Sequence, residues 1–245
     1  MRQDSQQSGF TLVELAIVLM IIGILIAGIL RGQELMDNAR LGSIIKQVKG
    51  YEAAVYTFRQ NYDSVPGDMR SAVGRVPGCD ASSSCRNGNG NGILGSPVFI
   101  WQGGQQAIAT ENTQFWKHLA LSHVITDVVP MANSPVWGRS HPVAPLPGGF
   151  SVITSQGSGA ASVREGALIL RLHGSVNNSG IIEEEPSLSP KQASYIDRKI
   201  DDGMPQTGDV QSRANGNGAL VAPCEESYAQ TREDAFCVMA FLLAL

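Results

Sequence analysis

The first strongly patterned stretch is an unbroken apolar run over residues 10–30, FTLVELAIVLMIIGILIAGIL, whose single charged residue is Glu14. Its 21 residues, at about 1.5 Å of rise each, make a helix as long as one bilayer core is thick. The run therefore predicts one membrane-spanning helix. A secretory signal peptide is the alternative, but it has a shorter apolar core and a small-residue cleavage site after it. No such site follows Leu30.

An amphipathic pattern continues directly from the apolar run. Apolar residues recur at spacings of three and four, which predicts a helix with one buried face. This stripe consists of Leu41, Ile45, Val48, Tyr51 or Glu52, Val55, Phe58 and Tyr62. Pro66 and Gly67 end the pattern, because both residues stop helices. We expect one long helix over 10–62, with two helices kinked near Gly28 to Gly32 as the alternative.

The remainder of the chain alternates loops with short elements. Loops are predicted over 67–110 and 130–149, a helix over 114–125 capped by Asn112 or Thr113, and strands over 150–154 and 167–172. Ser189 and Pro190 open a further helix that Gly203 ends. The apolar residues 236–245 are too few to span a membrane, so they predict a buried last strand or an exposed interaction tail. These elements indicate an α+β fold.

Composition and charge narrow the classes of protein. Charged residues make up 16% of the chain and the net charge is −4, against roughly 25% charged residues in an average soluble chain. The acidic balance speaks against a nucleic-acid surface, which is normally basic. A single apolar segment followed by polar sequence excludes a multispan membrane protein and a disordered chain, and leaves one anchor with a globular body.

Glu14 is the unusual residue of the apolar segment. A carboxylate inside hydrocarbon is costly and needs a partner, so it is a functional candidate unless it lies at the interface and snorkels. Orientation is ambiguous, because Arg2 precedes the segment whereas Arg31, Arg40, Lys46 and Lys49 follow it. The positive-inside count alone would place the body in the cytoplasm.

Residues 9–14, Gly-Phe-Thr-Leu-Val-Glu, follow a short polar leader and open the apolar helix. This arrangement resembles the prepilin segment of type IV pilins and type II secretion pseudopilins, and the resemblance covers residues 1 to about 62. It implies cleavage between Gly9 and Phe10 by a prepilin peptidase and N-methylation of Phe10. It also implies that Glu14 neutralises the terminal ammonium of a neighbouring subunit during assembly.

The resemblance further implies a fold, a topology and partners. We expect a leader over 1–9, a transmembrane and spine helix over 10–62, and a globular head over 63–245 packed as a pilin-like α+β fold on a small antiparallel sheet. The head would lie in the periplasm, against the Lys/Arg count, and then in a pilus or pseudopilus. Expected partners are other pilin or pseudopilin subunits, the inner-membrane assembly platform and the lipid bilayer, but not nucleic acid.

The four cysteines form two local pairs, Cys79 with Cys85 and Cys224 with Cys237. Outside the cytoplasm disulfides are expected, and of three possible connectivities the sequential one is favoured by adjacency. Each bridge would add roughly 2–4 kcal/mol through loop entropy. A zinc site is the competing interpretation, but neither spacing is that of a zinc motif and the histidines are scattered.

A weak calcium pattern lies in the Asn-Gly repeat. Asn87, Asn89 and Asn91 alternate with glycine as the ligands of a calcium loop do, and Asp80 lies nearby, but position twelve of the pattern is Val98. A turn-forming loop is the favoured interpretation, so no cofactor is expected.

No catalytic motif is present: there is no nucleophile elbow, zinc-protease helix or phosphate loop. The sequence therefore predicts a non-enzymatic structural subunit of a filament, of minor or specialised type. The alternative is a membrane-anchored periplasmic binding module or enzyme that does not polymerise.

Overall fold

The computed structural model describes residues 11–80, 82–94, 111–130, 136–155, 166–176, 182–183, 186–214, 224, 227–231, 234 and 237–243. The chain divides into two compact units, Met1–Arg40 and Leu41–Leu245. In chain order the described elements are α1 (Leu12–Tyr62), α2 (Ala72–Arg75), α3 (Glu111–Leu121), β1 (Gly149–Thr154), β2 (Leu168–His173), β3 (Ser175–Val176), β4 (Ile182–Glu183), α4 (Pro190–Ile200), β5 (Val210–Ala214) and β6 (Cys237–Leu243). The predicted α+β class, with a long first helix and a small antiparallel sheet, is confirmed.

The first unit contains residues 12–40 of α1. Its apolar side chains are exposed, from Leu12 at 87% to Leu30 at 61%. Among the described residues, α1 is the one helix long and apolar enough to cross a membrane, and none of its apolar window is buried. A core helix of a soluble protein would hide that window. α1 runs through Gly28 and Gly32 as one element, so the kinked alternative is not the one observed.

Within the second unit, the last part of α1 presents one face to the core. The buried residues of this face are Leu41, Ile44, Val48, Tyr51, Ala54, Val55 and Phe58, with Ile45 and Tyr62 partly buried. The predicted stripe is therefore confirmed, with Ile44 rather than Ile45 at its centre. The helix ends at Tyr62, and Asp63 follows with a φ of 50° while its N–H donates to the Arg59 carbonyl. A left-handed residue directly after the last turn is a common helix stop.

A four-stranded antiparallel sheet of order β1-β2-β6-β5 faces this core. Its register aligns one apolar residue from each strand in a row across the sheet, namely Val152, Leu170, Phe241 and Val210. All four are at most 1% exposed. Cross-strand apolar pairs of this kind are the main stabilising contacts of a sheet. β6 lies in the interior of the sheet, which confirms a buried strand for the apolar segment after Cys237 and not an exposed tail.

The structure corrects some element boundaries. α3 begins at Glu111 and ends at Leu121, so Asn112 and Thr113 lie inside the helix and neither caps it. Asn112 instead donates from its side-chain amide to the Val152 carbonyl at 2.9 Å, which joins α3 to β1. By contrast α4 begins as predicted: Ser189 and Gln192 form a reciprocal capping box and Pro190 occupies the first turn. No local sequence pattern predicted β3, β4, β5 or the short α2.

Candidate functional site

The start of α1 positions Glu14. Its carboxylate accepts hydrogen bonds from the Thr11 backbone N–H at 2.8 Å and from the Thr11 hydroxyl at 2.9 Å. The Glu14 N–H in turn donates to the Thr11 hydroxyl oxygen at 3.3 Å. This is a reciprocal capping box, which satisfies backbone donors that the first helical turn leaves unpaired. The one charge of the apolar segment therefore also caps its own helix, a second role beside the one that the prepilin resemblance implies.

Gly9 and Phe10 lie outside the described residues, so cleavage between them and methylation of Phe10 stay predictions. The charges that follow the apolar stretch are paired locally. Arg31 contacts Glu34 at 2.7 Å and Arg40 contacts Asp37 at 3.5 Å, each three residues apart on exposed helix surface. Such pairs contribute little stability. The positive-inside rule counts Lys and Arg alone. The pairing of Arg31 and Arg40 with Glu34 and Asp37 therefore does not change the count that would place the body in the cytoplasm.

Both cysteine pairs are joined as disulfides in the sequential connectivity, Cys79–Cys85 and Cys224–Cys237. The first closes a loop between α2 and α3, and the second ties Cys224 to the first residue of β6. All four cysteines are buried. The structure thus joins the cysteines in the pairs that adjacency favoured.

Lys117 and His118 of α3 lie under the first disulfide loop, an arrangement that the sequence did not reveal. The Lys117 ammonium donates to the carbonyls of Ser83 and Ser84, at 3.4 and 3.2 Å. Burial, aided by the charge of Arg86, lowers the pKa of Lys117 to about 8. Residues more than thirty positions apart form this contact, so no local pattern could have indicated it.

His118 lies so close to the Cys79–Cys85 disulfide that the three residues resemble a metal-binding site. Its ring and the sulfurs of Cys79 and Cys85 have ligand atoms within 4.8 Å of one another. The sulfurs, however, are bonded to each other. The ring nitrogens are also engaged: Nδ1 accepts from the Gly67 N–H and Nε2 donates to the Arg86 carbonyl, both at 2.9 Å. The oxidised pair therefore offers no thiolate to a metal.

The candidate calcium ligands are engaged with hydrogen-bond donors. Asn87 Oδ1 accepts from the Val73 N–H, Asn89 Oδ1 from the Asn91 N–H and Asn91 Oδ1 from the Ile93 N–H. Asp80 accepts from Ser82 and Ser83 in its own turn. Calcium needs oxygens whose lone pairs converge on the ion, whereas these oxygens hold turns together.

Carboxylates do approach the Asn-Gly loop, but they bind its amides. Asp68 accepts from the N–H groups of Asn91 at 3.1 Å and Gly92 at 2.8 Å, and Glu111 accepts from the Asn89 N–H at 2.8 Å. Burial, with a smaller contribution from Asp68, raises the pKa of Glu111, although the Asn89 amide acts in the opposite direction. The carboxylates of Asp68 and Glu111 are thus paired with backbone N–H groups of the loop in the place where a bound cation would be their partner.

A group of three aspartates lies at the end of α4. Carboxylate oxygens of Asp197, Asp201 and Asp202 lie within 4.8 Å of one another. Asp197 is buried and accepts from the Tyr228 hydroxyl at 2.7 Å and from the Gly203 N–H at 3.0 Å. Burial raises the pKa of Asp197 to about 6, although these two hydrogen bonds act in the opposite direction. The group fixes the turn from α4 into β5.

A serine and a histidine meet inside the sheet. Ser151 Oγ and His173 Nε2, on the paired strands β1 and β2, lie 2.6 Å apart. The residues are 1% and 0% exposed, and His173 Nδ1 is buried without a partner among the described atoms. Burial lowers the pKa of His173 and of neighbouring His141 to about 3. A nucleophile this deeply buried cannot reach a substrate, so the pair belongs to the core.

The comparisons with known proteins identify the amino-terminal segment alone. A family model described as the prokaryotic N-terminal methylation motif matches residues 4–30. No curated protein and no solved structure is similar enough to the chain to count as a match. The chain therefore carries the type IV prepilin-like segment for cleavage and methylation.

This motif supports a precursor like those of type IV pilins and pseudopilins. It implies processing by a prepilin peptidase and assembly with other pilin subunits. Together with the apolar helix it also indicates membrane anchoring.

Proposed function

We propose that this chain is a subunit, of minor or specialised type, of a type IV pilus or a type II secretion filament. It would be inserted in the inner membrane and polymerised through α1 by an assembly platform. One observation carries the proposal: the methylation motif over residues 4–30 leads into an exposed apolar helix whose first turn holds Glu14. The capping box with Thr11 alone does not require a charge, whereas the pairing of subunits through a terminal ammonium does.

The proposed chemistry of assembly is charge pairing in a medium of low dielectric constant. Cleavage after Gly9 would leave Phe10 with a free ammonium, and Glu14 of an adjacent subunit would neutralise it. Each charge alone is expensive in hydrocarbon, and a hydrogen-bonded pair recovers most of that cost. The Thr11 donors satisfy the carboxylate in the isolated subunit, so assembly would exchange these donors for a stronger, charged one.

We place the globular unit outside the cytoplasm. Two buried disulfides support this location, because disulfides persist in oxidising compartments and are rare in the cytosol. The location also agrees with the topology of proteins that carry the prepilin segment.

We propose that the globular unit is a structural or display element without catalysis or a resident cofactor. The burial of the Ser151–His173 pair supports the first point. The engagement of the Asn87, Asn89 and Asn91 side-chain oxygens with backbone N–H donors supports the second.

Cleavage is tested first, with the full precursor expressed beside a prepilin peptidase. Gly9→Val should leave the chain at precursor size on an immunoblot of membranes, whereas Gly9→Ala, which keeps a small residue, serves as the matched control. A Gly9→Val protein that is shortened to the size of the processed native chain would overturn the prepilin assignment.

Polymerisation is tested separately at Glu14. Glu14→Gln keeps the shape and removes the charge, and we expect the processed subunit to disappear from sheared filaments while it stays in the membrane. A processed Glu14→Gln subunit that assembles normally would contradict the assembly role of Glu14, whereas a native subunit found in no filament would favour the non-polymerising anchored module.

A further inference from the structure

The loop over residues 87–92 contains three consecutive Asn-Gly pairs, Asn87-Gly88, Asn89-Gly90 and Asn91-Gly92. In such a pair the glycine backbone nitrogen can attack the asparagine side-chain amide carbon. Glycine permits the attack because it has no Cβ in the way and its backbone is free to adopt the geometry. All three asparagines are exposed to water. The three pairs share one chemistry but differ in their surroundings.

Asn87-Gly88 is held apart from this reaction. The Gly88 N–H donates to the Met69 carbonyl at 2.8 Å, and Asn87 Oδ1 accepts from the N–H of distant Val73 at 2.8 Å. Gly88 also packs against backbone so closely that a Cβ there would lie 2.3 Å from the Gly67 carbonyl oxygen. Neither the nucleophilic nitrogen nor the side-chain carbonyl is free to move toward the other.

In the pair Asn91-Gly92 the asparagine side chain folds back toward the backbone, but the nucleophilic nitrogen of Gly92 is blocked. Asn91 Oδ1 accepts from the Ile93 N–H at 2.8 Å, an Asx turn in which the side chain folds back along the backbone that contains Gly92. The Gly92 N–H, however, donates to the Asp68 carboxylate at 2.8 Å. The nitrogen must lose its proton to attack, and a negative charge beside it opposes the formation of an anion.

Asn89-Gly90 combines the same turn with a nucleophilic nitrogen that no described atom engages. Asn89 Oδ1 accepts from the Asn91 N–H at 2.9 Å, whereas the Gly90 N–H donates to no atom of the described residues. The Arg70 side chain lies against Gly90, since a Cβ there would be 2.3 Å from Nε, and Arg70 donates to the Gly90 carbonyl at 3.3 Å. An adjacent cation favours the deprotonated amide and the oxyanion that forms on attack.

We propose that Asn89 is a site of spontaneous deamidation, selected by the fold over Asn87 and Asn91. The Gly90 nitrogen forms a bond to Asn89 Cγ while the bond from Cγ to the side-chain nitrogen breaks, and that NH2 group leaves as ammonia with the proton that the Gly90 nitrogen loses. The cyclic imide then takes up water at one of its two carbonyls, which yields aspartate or isoaspartate. Water is the only co-reactant, and the site does not depend on the proposed function.

The product places a new negative charge beside an existing one. The Asn89 N–H donates to Glu111, and the neighbouring residues 91 and 92 are bound by Asp68. A carboxylate at position 89 therefore repels the group that holds its own amide, and isoaspartate also lengthens the backbone. Deamidation would loosen the attachment of this loop to α3 with the age of the protein.

The test uses the full chain in detergent, incubated at neutral to mildly alkaline pH. Trypsin releases residues 87–117 as one peptide that contains all three pairs. Deamidation replaces a side-chain NH2 group by OH, and the fragment ions of this peptide show at which asparagine the mass has changed. We expect Asn89 to convert about tenfold faster than Asn87 and Asn91, as ~1.4 kcal/mol in activation free energy gives. In denaturant the three rates should become similar.

Two variants separate the proposed causes. Arg70→Gln should slow the conversion of Asn89, whereas Arg70→Lys, which keeps the charge, should slow it less. Asp68→Asn should accelerate the conversion of Asn91, because the carboxylate on Gly92 is gone. Equal rates at the three asparagines in the native chain, or the same order of rates in denaturant, would overturn the proposal without any variant.

Discussion

The hydroxyl of Tyr51 donates a hydrogen bond to the carboxylate of Asp127. The same ring packs edge-on against Trp116 of α3 and Phe150 of β1, with centroid distances of 5.2 and 5.4 Å. Burial, followed by the hydrogen bond and charge of Asp127, raises the pKa of Tyr51, so the hydroxyl remains a donor. One side chain of α1 thus joins the helix to three other segments of the globular unit.

Replacing Tyr51 should separate these two contributions. We expect Tyr51→Phe to lower the free energy of unfolding by about 0.5–1.5 kcal/mol through the lost hydrogen bond, and Tyr51→Ala by about 3–5 kcal/mol through the cavity left behind. Urea unfolding of the full chain in detergent, followed by tryptophan fluorescence, measures both. Tyr56→Phe is the matched control, because Tyr56 is 59% exposed on the same helix. Equal effects at positions 51 and 56 would contradict this role.

The capping box at Thr11 should be measurable at the helix start. Thr11→Ala removes the hydroxyl, and loss of a cap costs about 1 kcal/mol, so the first turn should fray and the Glu14 amide should exchange faster with solvent deuterium. Thr11→Ser keeps the hydroxyl and should behave as the unmodified chain does. NMR in micelles provides the exchange rates. If Thr11→Ala exchanges at the native rate, the Thr11 hydroxyl does not secure the start of the helix.

Acid should destabilise the globular unit through its buried histidines. Burial lowers the pKa of His118 to about 4 and of His141 and His173 to about 3, whereas an unfolded histidine titrates near 6.5. Between these values the unfolded state binds more protons, so stability is fully present above about pH 6.5 and falls as the pH drops toward 3. Asp197 acts oppositely: its pKa is raised to about 6, so its protonation favours the folded state below that pH.

Three histidines against one aspartate give a net loss of stability on acidification. Unfolding temperatures measured from pH 7 to pH 4 test this, and His173→Gln should make the slope shallower, whereas the same change at exposed His123 should not. A flat profile over this range would mean that these imidazoles are not buried as neutral groups.

The two disulfides should differ in their contributions to stability. By loop entropy a separation of 6 residues for Cys79–Cys85 and 13 for Cys224–Cys237 gives about 2.4 and about 3 kcal/mol respectively. The second bridge also secures the first residue of an interior strand. We expect the Cys224→Ser/Cys237→Ser variant to unfold at lower denaturant concentration than the Cys79→Ser/Cys85→Ser variant. The reverse order would show that the bridge beside Lys117 and His118 has a larger packing role.

Calcium should leave the unfolding temperature unchanged. A ligand at a hundred times its dissociation constant stabilises a folded protein by about 2.7 kcal/mol, an effect that a thermal scan detects readily. Because the oxygens of Asn87, Asn89 and Asn91 hold backbone N–H groups, we expect identical scans with millimolar calcium and with a chelator. A calcium-dependent increase that Asn89→Ala abolishes would restore the calcium interpretation of this loop.

The long-range parts of the fold were the least accessible to sequence reasoning. α1 was predictable because its two hydrophobic patterns are long, and α4 because Ser189 and Pro190 mark its start. β5 was missed because Val-Gln-Ser-Arg-Ala has no alternation of apolar and polar residues; it forms a strand because β6 provides a partner. The capping of α3 was wrong because Asn112 finds a better acceptor in the Val152 carbonyl, forty residues away.

The residues of the candidate site likewise divide into those that the sequence indicated and those that only the tertiary structure reveals. Glu14 could be identified from its isolated charge, and the cysteine pairs from adjacency. The contact of Lys117 with the first disulfide loop, and the meeting of Ser151 with His173, depend on residues that only tertiary structure brings together. The Asn-Gly repeat at 87–92 is visible in the sequence. The difference in expected reactivity among its three pairs depends on the hydrogen bonds from the Gly92 N–H to Asp68 and from the Gly88 N–H to the Met69 carbonyl, which only the structure shows.

The position of β6 has a consequence for the order in which the protein matures. Both of its sheet neighbours, β2 and β5, precede it in the chain, and Cys224 can find its partner only when Cys237 is present. Among the described strands β5 pairs with β6 alone, so a chain that emerged from a membrane in sequence order would keep β5 unpaired until Cys237–Leu243 had emerged. In a chain that emerged in that order, the four-stranded sheet would be completed only when β6 became available, and subunits stalled before that point would remain recognisable to proteases.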